Sequence, residues 1–321
     1  MDSTERPIEI FRPFGEAFEL TSKILFRPFD LKKWFVIGFA AFLATFFSGG
    51  SFAYQRRFGG QEWNWKSQHH GPPFSLHDVP PWVIPLAIVG FLLVCAIIVL
   101  LAWLNARGRF IFTDCIVRNR AAIAEPWREF RSEGNRLFVF QIALTFCNMI
   151  VFGGLMVLFL LGWYWNRHLV PLPLIIFSGV AYCLVLLVSL LIFRFMTPVM
   201  YRQRCGAISA FRQVWGLLLA RPGVFILFGL FYLLLFVAAA MVGCLAACVT
   251  CCLAALPYIG TVILLPVVMF LFAYPLCFLR QFGDPYDVFF GVKSTEPPPL
   301  LIPPVQAEIQ PIQEDPPSST P

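Results

Sequence analysis

The side chains able to do chemistry are few and fall into three groups. All four histidines, His69, His70, His77 and His168, lie in two stretches between apolar runs, with Glu62 and Asp78 close to the first three. Imidazole and carboxylate together suit zinc or nickel. The spacing matches no standard metal motif, and Gly71, Pro72 and Pro73 separate the histidine pair from His77. A polar loop between two spans is the plainer reading, and no cofactor is expected. The cysteines Cys244, Cys248, Cys251 and Cys252 gather in GCLAACVTCC. On a helix Cys244, Cys248 and Cys251 share a face with Ala240, Gly243 and Ala247, the small-residue strip that close helix packing in a membrane uses. Cys95, Cys147, Cys183 and Cys277 lie inside apolar runs, where a thiol behaves as a small hydrophobe. The third group is Arg118, Arg120, Arg202 and Arg204, which follow two of the apolar runs. A guanidinium fork matches phosphate geometry, and each basic residue near an anionic lipid surface contributes on the order of 1 kcal/mol. These four are the candidate contacts to an anionic headgroup; the plainer alternative is that they only set orientation.

The elements that position these groups follow from composition. Of 321 residues, 59% are apolar and 13% charged, against roughly 45–50% and about 25% in a soluble domain. Such a chain, with 36 Phe, reads as an integral membrane protein rather than a soluble enzyme, a disordered chain or a secreted disulfide scaffold. Crossing about 30 Å of hydrocarbon takes about 20 apolar residues. Six runs qualify, approximately 34–54, 82–104, 137–161, 172–193, 223–249 and 257–279. The expected fold is therefore an all-α, polytopic bundle of six spans with short amphipathic interfacial helices. It divides into an amphipathic cytoplasmic segment (1–30), the transmembrane domain (31–290) and a proline-rich disordered tail (291–321). The first residues carry Asp2, Glu5, Arg6 and Glu9 before any apolar run, unlike a cleavable signal peptide, so the first span is expected to act as its own signal.

Orientation follows from the basic residues. Of the 24 Lys and Arg, 20 lie in segments that six spans would place on one side, and Arg56, Arg57, Lys66 and Arg167 make up the other 4. The asymmetry places both termini in the cytoplasm. Trp82, Trp163, Tyr164 and Trp165 at the outer ends, with Trp34 and Trp103 at the inner ends, are placed like interfacial belts. The net charge of +6 then belongs to a face next to anionic lipid, and membrane lipids are the expected partner, with other membrane subunits a further option and nucleic acid excluded.

One arrangement recurs three times: a cytoplasmic amphipathic segment, a break, an outgoing span and a returning span. The segments read EAFELTSKILFRPFDLKKWF, EPWREFRSEGNRLFVF and ISAFRQVWGLLLARPGVFILF. In the third, Ile208, Phe211, Trp215, Leu218 and Leu219 recur on one face, and Phe14, Phe18, Thr21 and Leu25 do so in the first. Such segments suit helices lying in the headgroup plane; convergence between cytoplasmic loops is the alternative to a true repeat. No Asp, Glu, Lys, Arg or His occupies the centre of a predicted span, which counts against a proton relay, voltage sensor or ion-coupled pump. Gln141, Asn148, Ser178 and Ser189 are the polar remnants, expected to bond between helices. Pro257, Pro266 and Pro275 predict kinks in the sixth span. Walker A, GxSxG, HExxH and dinucleotide patterns are all absent, and no soluble stretch is long enough for a catalytic domain, so no enzyme is expected.

The stretches LFRPFDLKKWFVIGFAAFL, RFIFTDCIVRNRAAIAEPWREFRSEGN, YRQRCGAISAFRQVWGLLLARPGVFILF and LPYIGTVILLPVVMFLFAYPLCFLRQFG resemble an uncharacterised bacterial family of multi-pass membrane proteins. That family is itself similar to the membrane domain attached to some glycerophosphodiester phosphodiesterases. The resemblance covers roughly residues 10 to 290 and rests on pattern rather than on a diagnostic motif. It implies a six-helix domain in a bacterial cytoplasmic membrane. The phosphodiesterase activity belongs to a separate barrel for which this chain has no room, and no functional residues transfer. The expected function is a non-enzymatic, lipid-contacting scaffold or accessory membrane module; the alternative is a transporter or permease for a lipid-like or apolar solute.

Overall fold

A computed structural model describes residues 9–27, 29–46, 82–165, 172–250 and 256–291. The chain is all-α, with no strand among these residues. In chain order the helices are α1 (Phe11–Phe26), α2 (Leu31–Thr45), α3 (Val83–Val117), α4 (Ala124–Glu129), α5 (Arg131–Trp165), α6 (Leu172–Gln203), α7 (Ala207–Ala220), α8 (Pro222–Val249), α9 (Pro257–Ile263) and α10 (Leu265–Leu279). Two 3₁₀ turns follow, Arg280–Phe282 and Asp284–Tyr286. Five helical segments are long and apolar enough to cross a membrane: α3, α5, α6, α8 and Leu265–Phe282. The first expected span appears only as α2, which has 15 residues; its continuation beyond residue 46, like the histidines and the tail, lies outside the described residues.

The long helices run well past the predicted span ends. Helix α3 has 35 residues, about 52 Å at 1.5 Å per residue, and continues from the expected end near 104 to Val117. Its apolar run stops at Arg107, but nothing in RGRFIFTDCIV breaks a helix. The two halves differ sharply. From Val83 to Leu100 α3 is almost wholly exposed, whereas Asn105 to Gly108 and Phe110 to Val117 are buried. The same division holds in α6, whose burial begins at Leu191. The core therefore sits at the end of the molecule that carries the basic residues, where α3 packs on α2, α5 and α6, and α10 packs on α1, α6 and α8.

Local chemistry explains the key contacts. Asp30 caps α2 by accepting from the Lys32 backbone N–H at 2.8 Å. At the other end, the buried Asn105 amide of α3 donates to the carbonyls of Leu43 (3.1 Å) and Ala44 (2.9 Å). Gly108 lets α2 and α3 approach closely: a Cβ there would lie 2.6 Å from the Leu43 carbonyl carbon. The kink expected in the sixth span is a break at Leu264 between α9 and α10. Pro266 has no N–H to offer the Val262 carbonyl, and that carbonyl accepts from the Trp34 indole at 3.0 Å instead. Trp34 is thus bonded inside the protein, as is Trp103, whose indole donates to Asn135 at 3.0 Å.

The two amphipathic helices each bury one face and leave bulky apolar side chains outside. Helix α7 buries Ala207, Ala210 and Val214 and leaves Ile208, Trp215 and Leu219 exposed. Helix α1 buries Ala17, Thr21, Ile24 and Leu25 against its neighbours and leaves Phe11 and Phe18 exposed. The predicted stripe of α1 is split, with Phe14 and Phe18 outside and Thr21 and Leu25 buried, while that of α7 turns Ile208, Trp215 and Leu219 outward and packs Phe211 and Leu218 on the core; a bulky apolar side chain is stable outside when hydrocarbon is the surrounding medium. In the cysteine strip the packing is done by Gly243 and Ala247, while Cys244 and Cys248 are exposed.

A positive φ ends each returning helix: Asn119 (50°) after α3, Arg204 (51°) after α6 and Gly283 (110°) after α10. Nine positions upstream of each (119 to 110, 204 to 195, 283 to 274) stand Phe110, Phe195 and Tyr274, at most 1% exposed. Ten positions upstream stand Arg109, Arg194 and Ala273. The three returning helices thus share one terminal register, and α3, α6 and α10 contact one another.

Candidate functional site

The inner ends of α3 and α6 meet the short helix α4 and the start of α5 in a lattice of arginines and carboxylates. Asp114, fully buried, organises it. One of its oxygens accepts from the Tyr201 hydroxyl at 2.9 Å and forms an ion pair with Arg118 Nε at 3.1 Å; the other accepts from Arg120 Nε at 3.0 Å. Arg118 also reaches Glu129 at 3.0 Å, and Arg120 reaches Glu125 at 2.7 Å. Arg204 arrives from the end of α6, binds the Glu129 carboxylate, and lies 3.6 Å from Glu133. Its positive φ turns the chain there, and its guanidinium covers the Phe130 ring with its carbon 3.9 Å from the centroid. Phe130 in turn stacks on Tyr201 (4.8 Å) and Phe110 (5.8 Å).

The electrostatics follow from this packing. Burial would lower the Arg118 and Arg120 guanidinium pKa values, but the carboxylates around them win and hold both above the ordinary arginine range. Glu129 shows the converse: burial would raise its carboxyl, yet hydrogen bonds and charge from Arg118 and Arg204 hold it below the usual carboxylate range.

Of the four arginines singled out by sequence, the structure brings Arg118, Arg120 and Arg204 together around Glu129. Arg202 is placed elsewhere: it donates to the Phe290 carbonyl at 3.1 Å and covers the Phe290 ring at 5.4 Å. In the register set by Asn119 and Arg204, Arg118 corresponds to Gln203 and Arg202 to Val117, so the two pairs are near one another in the pattern without matching residue for residue. Around the clustered three stand four carboxylates, Asp114, Glu125, Glu129 and Glu133. The arrangement is a clamp that ties α3, α4, α5 and α6 together, with the guanidinium edges left partly open: their side chains are 30%, 23% and 40% exposed for Arg118, Arg120 and Arg204.

Sequence reading overlooked the carboxylates, because Glu125, Glu129 and Glu133 look like surface residues of a polar loop. Their i, i+4 spacing is the signal that was available. It also overlooked Arg109 and Arg194, whose signal is the recurrence of Arg-Phe with a following threonine in RFIFT and RFMT. Among the described residues no group of His, Cys, Asp and Glu is arranged to hold a metal ion; His69, His70, His77 and His168 lie outside them. A family model described as a family of unknown function (DUF7544) matches residues 9–279. No curated protein matches the chain, so no named relative supports a link to the phosphodiesterase membrane domain, and no solved structure matches it.

Proposed function

The chain belongs to that family of unknown function, and from its geometry we propose that it is a non-enzymatic, lipid-contacting membrane module that serves as a scaffold or accessory subunit. The observation carrying this reading is the outward seating of α1 and α7. Helix α7 places Ala207, Ala210 and Val214 against the bundle and Ile208, Trp215 and Leu219 outside, and α1 leaves Phe11 and Phe18 outside, next to the basic end of long apolar helices. In water that arrangement exposes apolar surface at a cost of about 25 cal/mol per Å²; in a headgroup layer it anchors the module. The orientation that fits has the clamp and both termini in the cytoplasm, in a bacterial inner membrane, with the exposed apolar halves of α3, α5, α6 and α8 in hydrocarbon. A kinship with the membrane domain attached to some glycerophosphodiester phosphodiesterases belongs to the same proposal, for the membrane part alone.

Arg118, Arg120, Arg202 and Arg204 then meet headgroups with their open edges while their inner edges brace the helices. Replacing all four by Gln tests this. The reading expects less anionic lipid to co-purify, and undiminished lipid in a correctly inserted variant contradicts it. Liposomes carrying the purified protein test the scaffold reading itself. No flux of lipid analogues or small metabolites above protein-free vesicles is expected; protein-dependent flux would favour a transporter instead.

A further inference from the structure

A small, partly open cavity lies where the three returning helices meet. Helix α3 contributes Arg109 and Thr113, α6 contributes Arg194, Thr197 and Pro198, and α10 contributes Phe272 and Pro275. Arg109 and Arg194 occupy the same place in the register of their helices, ten positions before Asn119 and Arg204 (119 to 109, 204 to 194). Two guanidinium groups therefore line one small space from different helices. Like charges held together in a medium of low dielectric are costly unless an anion accompanies them.

The donors around this space are incompletely used. The Arg194 guanidinium lies over the rings of Tyr232 (5.2 Å) and Phe272 (5.0 Å), contacts that cover its faces and leave its edge. Its Nη1 is buried with no hydrogen-bond partner, and no carboxylate pairs with it among the described residues. Thr197 is 5% exposed, and its hydroxyl also has no partner. Its neighbour in the cavity, Thr113, shows what a helical threonine ordinarily does, donating to the carbonyl of Arg109 one turn back at 2.8 Å. The Tyr232 hydroxyl beside Arg194 is likewise buried without a partner. A native interior leaves few such groups unsatisfied, and several around one cavity indicate a ligand that accepts hydrogen bonds from more than one direction.

We infer that this cavity binds a phosphoryl group, either as the headgroup of a phospholipid entering between the returning helices or as free phosphate. A tetrahedral anion offers acceptor oxygens to both guanidinium groups and to the Thr197 hydroxyl at once, whereas a carboxylate offers two oxygens in one plane and serves one fork. The site stands apart from the lipid-surface reading above, because a soluble phosphate fills it as well as a lipid does.

The test uses the full-length protein in neutral detergent. Thermal unfolding is followed against inorganic phosphate and against dihexanoyl phosphatidylglycerol, with sodium chloride at matched ionic strength as control. Saturable stabilisation by at least one phosphoryl probe is expected, and not by chloride. Thr197→Val, which keeps the side-chain volume, is expected to weaken the half-saturating concentration about tenfold. Arg194→Gln is expected to abolish the effect, and Arg128→Gln on the exposed face of α4 to leave it unchanged. A response to phosphate alone identifies free anion as the ligand, a response to the lipid alone identifies the headgroup, and a response to both identifies the phosphoryl group irrespective of source. Absence of a saturable response to either probe overturns the inference, as does wild-type affinity in Thr197→Val or Arg194→Gln.

Discussion

The two halves of the long helices solve the same problem in opposite ways. In the outer halves Thr145, Asn148 and Ser189 bond within their own helix. Thr145 donates to the Gln141 carbonyl, Asn148 to Leu144 and Ser189 to Val185, each one turn back. The interhelical bonds expected of Asn148 and Ser189 are therefore not made. In the inner halves several polar groups bond between helices: Asn105 to α2, Tyr201 to Asp114, Trp34 to Val262 and Arg107 to Asn135. A helix whose polar groups are satisfied internally needs no partner in hydrocarbon, whereas one whose side chains reach across is fixed to its neighbours. The difference teaches that the charges of the clamp sit where the fold surrounds them with partners.

The comparison breaks most severely at Asp114. Replacing it by Ala removes the shared acceptor of Tyr201, Arg118 and Arg120 and leaves guanidinium groups around a buried gap. Loss of one member of such a buried set costs about 3–5 kcal/mol, so Asp114→Ala is expected to lose most of its folded fraction in denaturant titrations in detergent. Next comes a pair of glycines. Gly108→Ala drives a Cβ into the Leu43 backbone and is expected to cost about 1–3 kcal/mol. Gly153→Ala in the outer half meets nothing within 4 Å and should be neutral or stabilising by roughly 0.5–1 kcal/mol. Equal losses at the two glycines would erase the distinction between the halves.

Smaller effects sharpen it. Trp34→Phe deprives the Val262 carbonyl of the donor that Pro266 cannot supply, for an expected loss of about 1 kcal/mol. The clamp also predicts an acid limb. Because Glu129 is held below its unfolded value of about 4.3, its contribution is complete above that pH and is lost as pH falls through the lower folded value. Glu129→Gln should therefore flatten the decline of unfolding temperature on the acid side and leave the neutral side less changed in slope. An unchanged acid limb would mean that the Glu129 contacts contribute nothing.

The helices and their membrane character were legible because about 20 apolar residues in a row have few other uses. The inner extensions were not, since a hydropathy window ends at the first arginines while the helix continues through RGRFIFTDCIV. Basic residues were visible as a set, and their candidates Arg118, Arg120 and Arg204 do converge. That they converge on Glu125, Glu129 and Glu133 depends on the turn at Asn119 and on the 6-residue helix α4, whose ends the i, i+4 spacing of the glutamates does not mark. Arg109 and Arg194 were hidden for a further reason: they lie 85 positions apart (194 − 109), and only the common register of the returning helices places them at one cavity.

The central claim, that the outer halves meet lipid and not water or protein, can be tested with cysteines already in place. Cys147, Cys183 and Cys248 are exposed on α5, α6 and α8. Variants retaining one of them at a time, spin-labelled and reconstituted in bilayers, would be compared for collision with oxygen and with a water-soluble nickel complex. The account predicts mobile labels at all three positions that collide with oxygen and not with nickel. Collision with nickel, or immobilised labels reached by neither reagent, would contradict it.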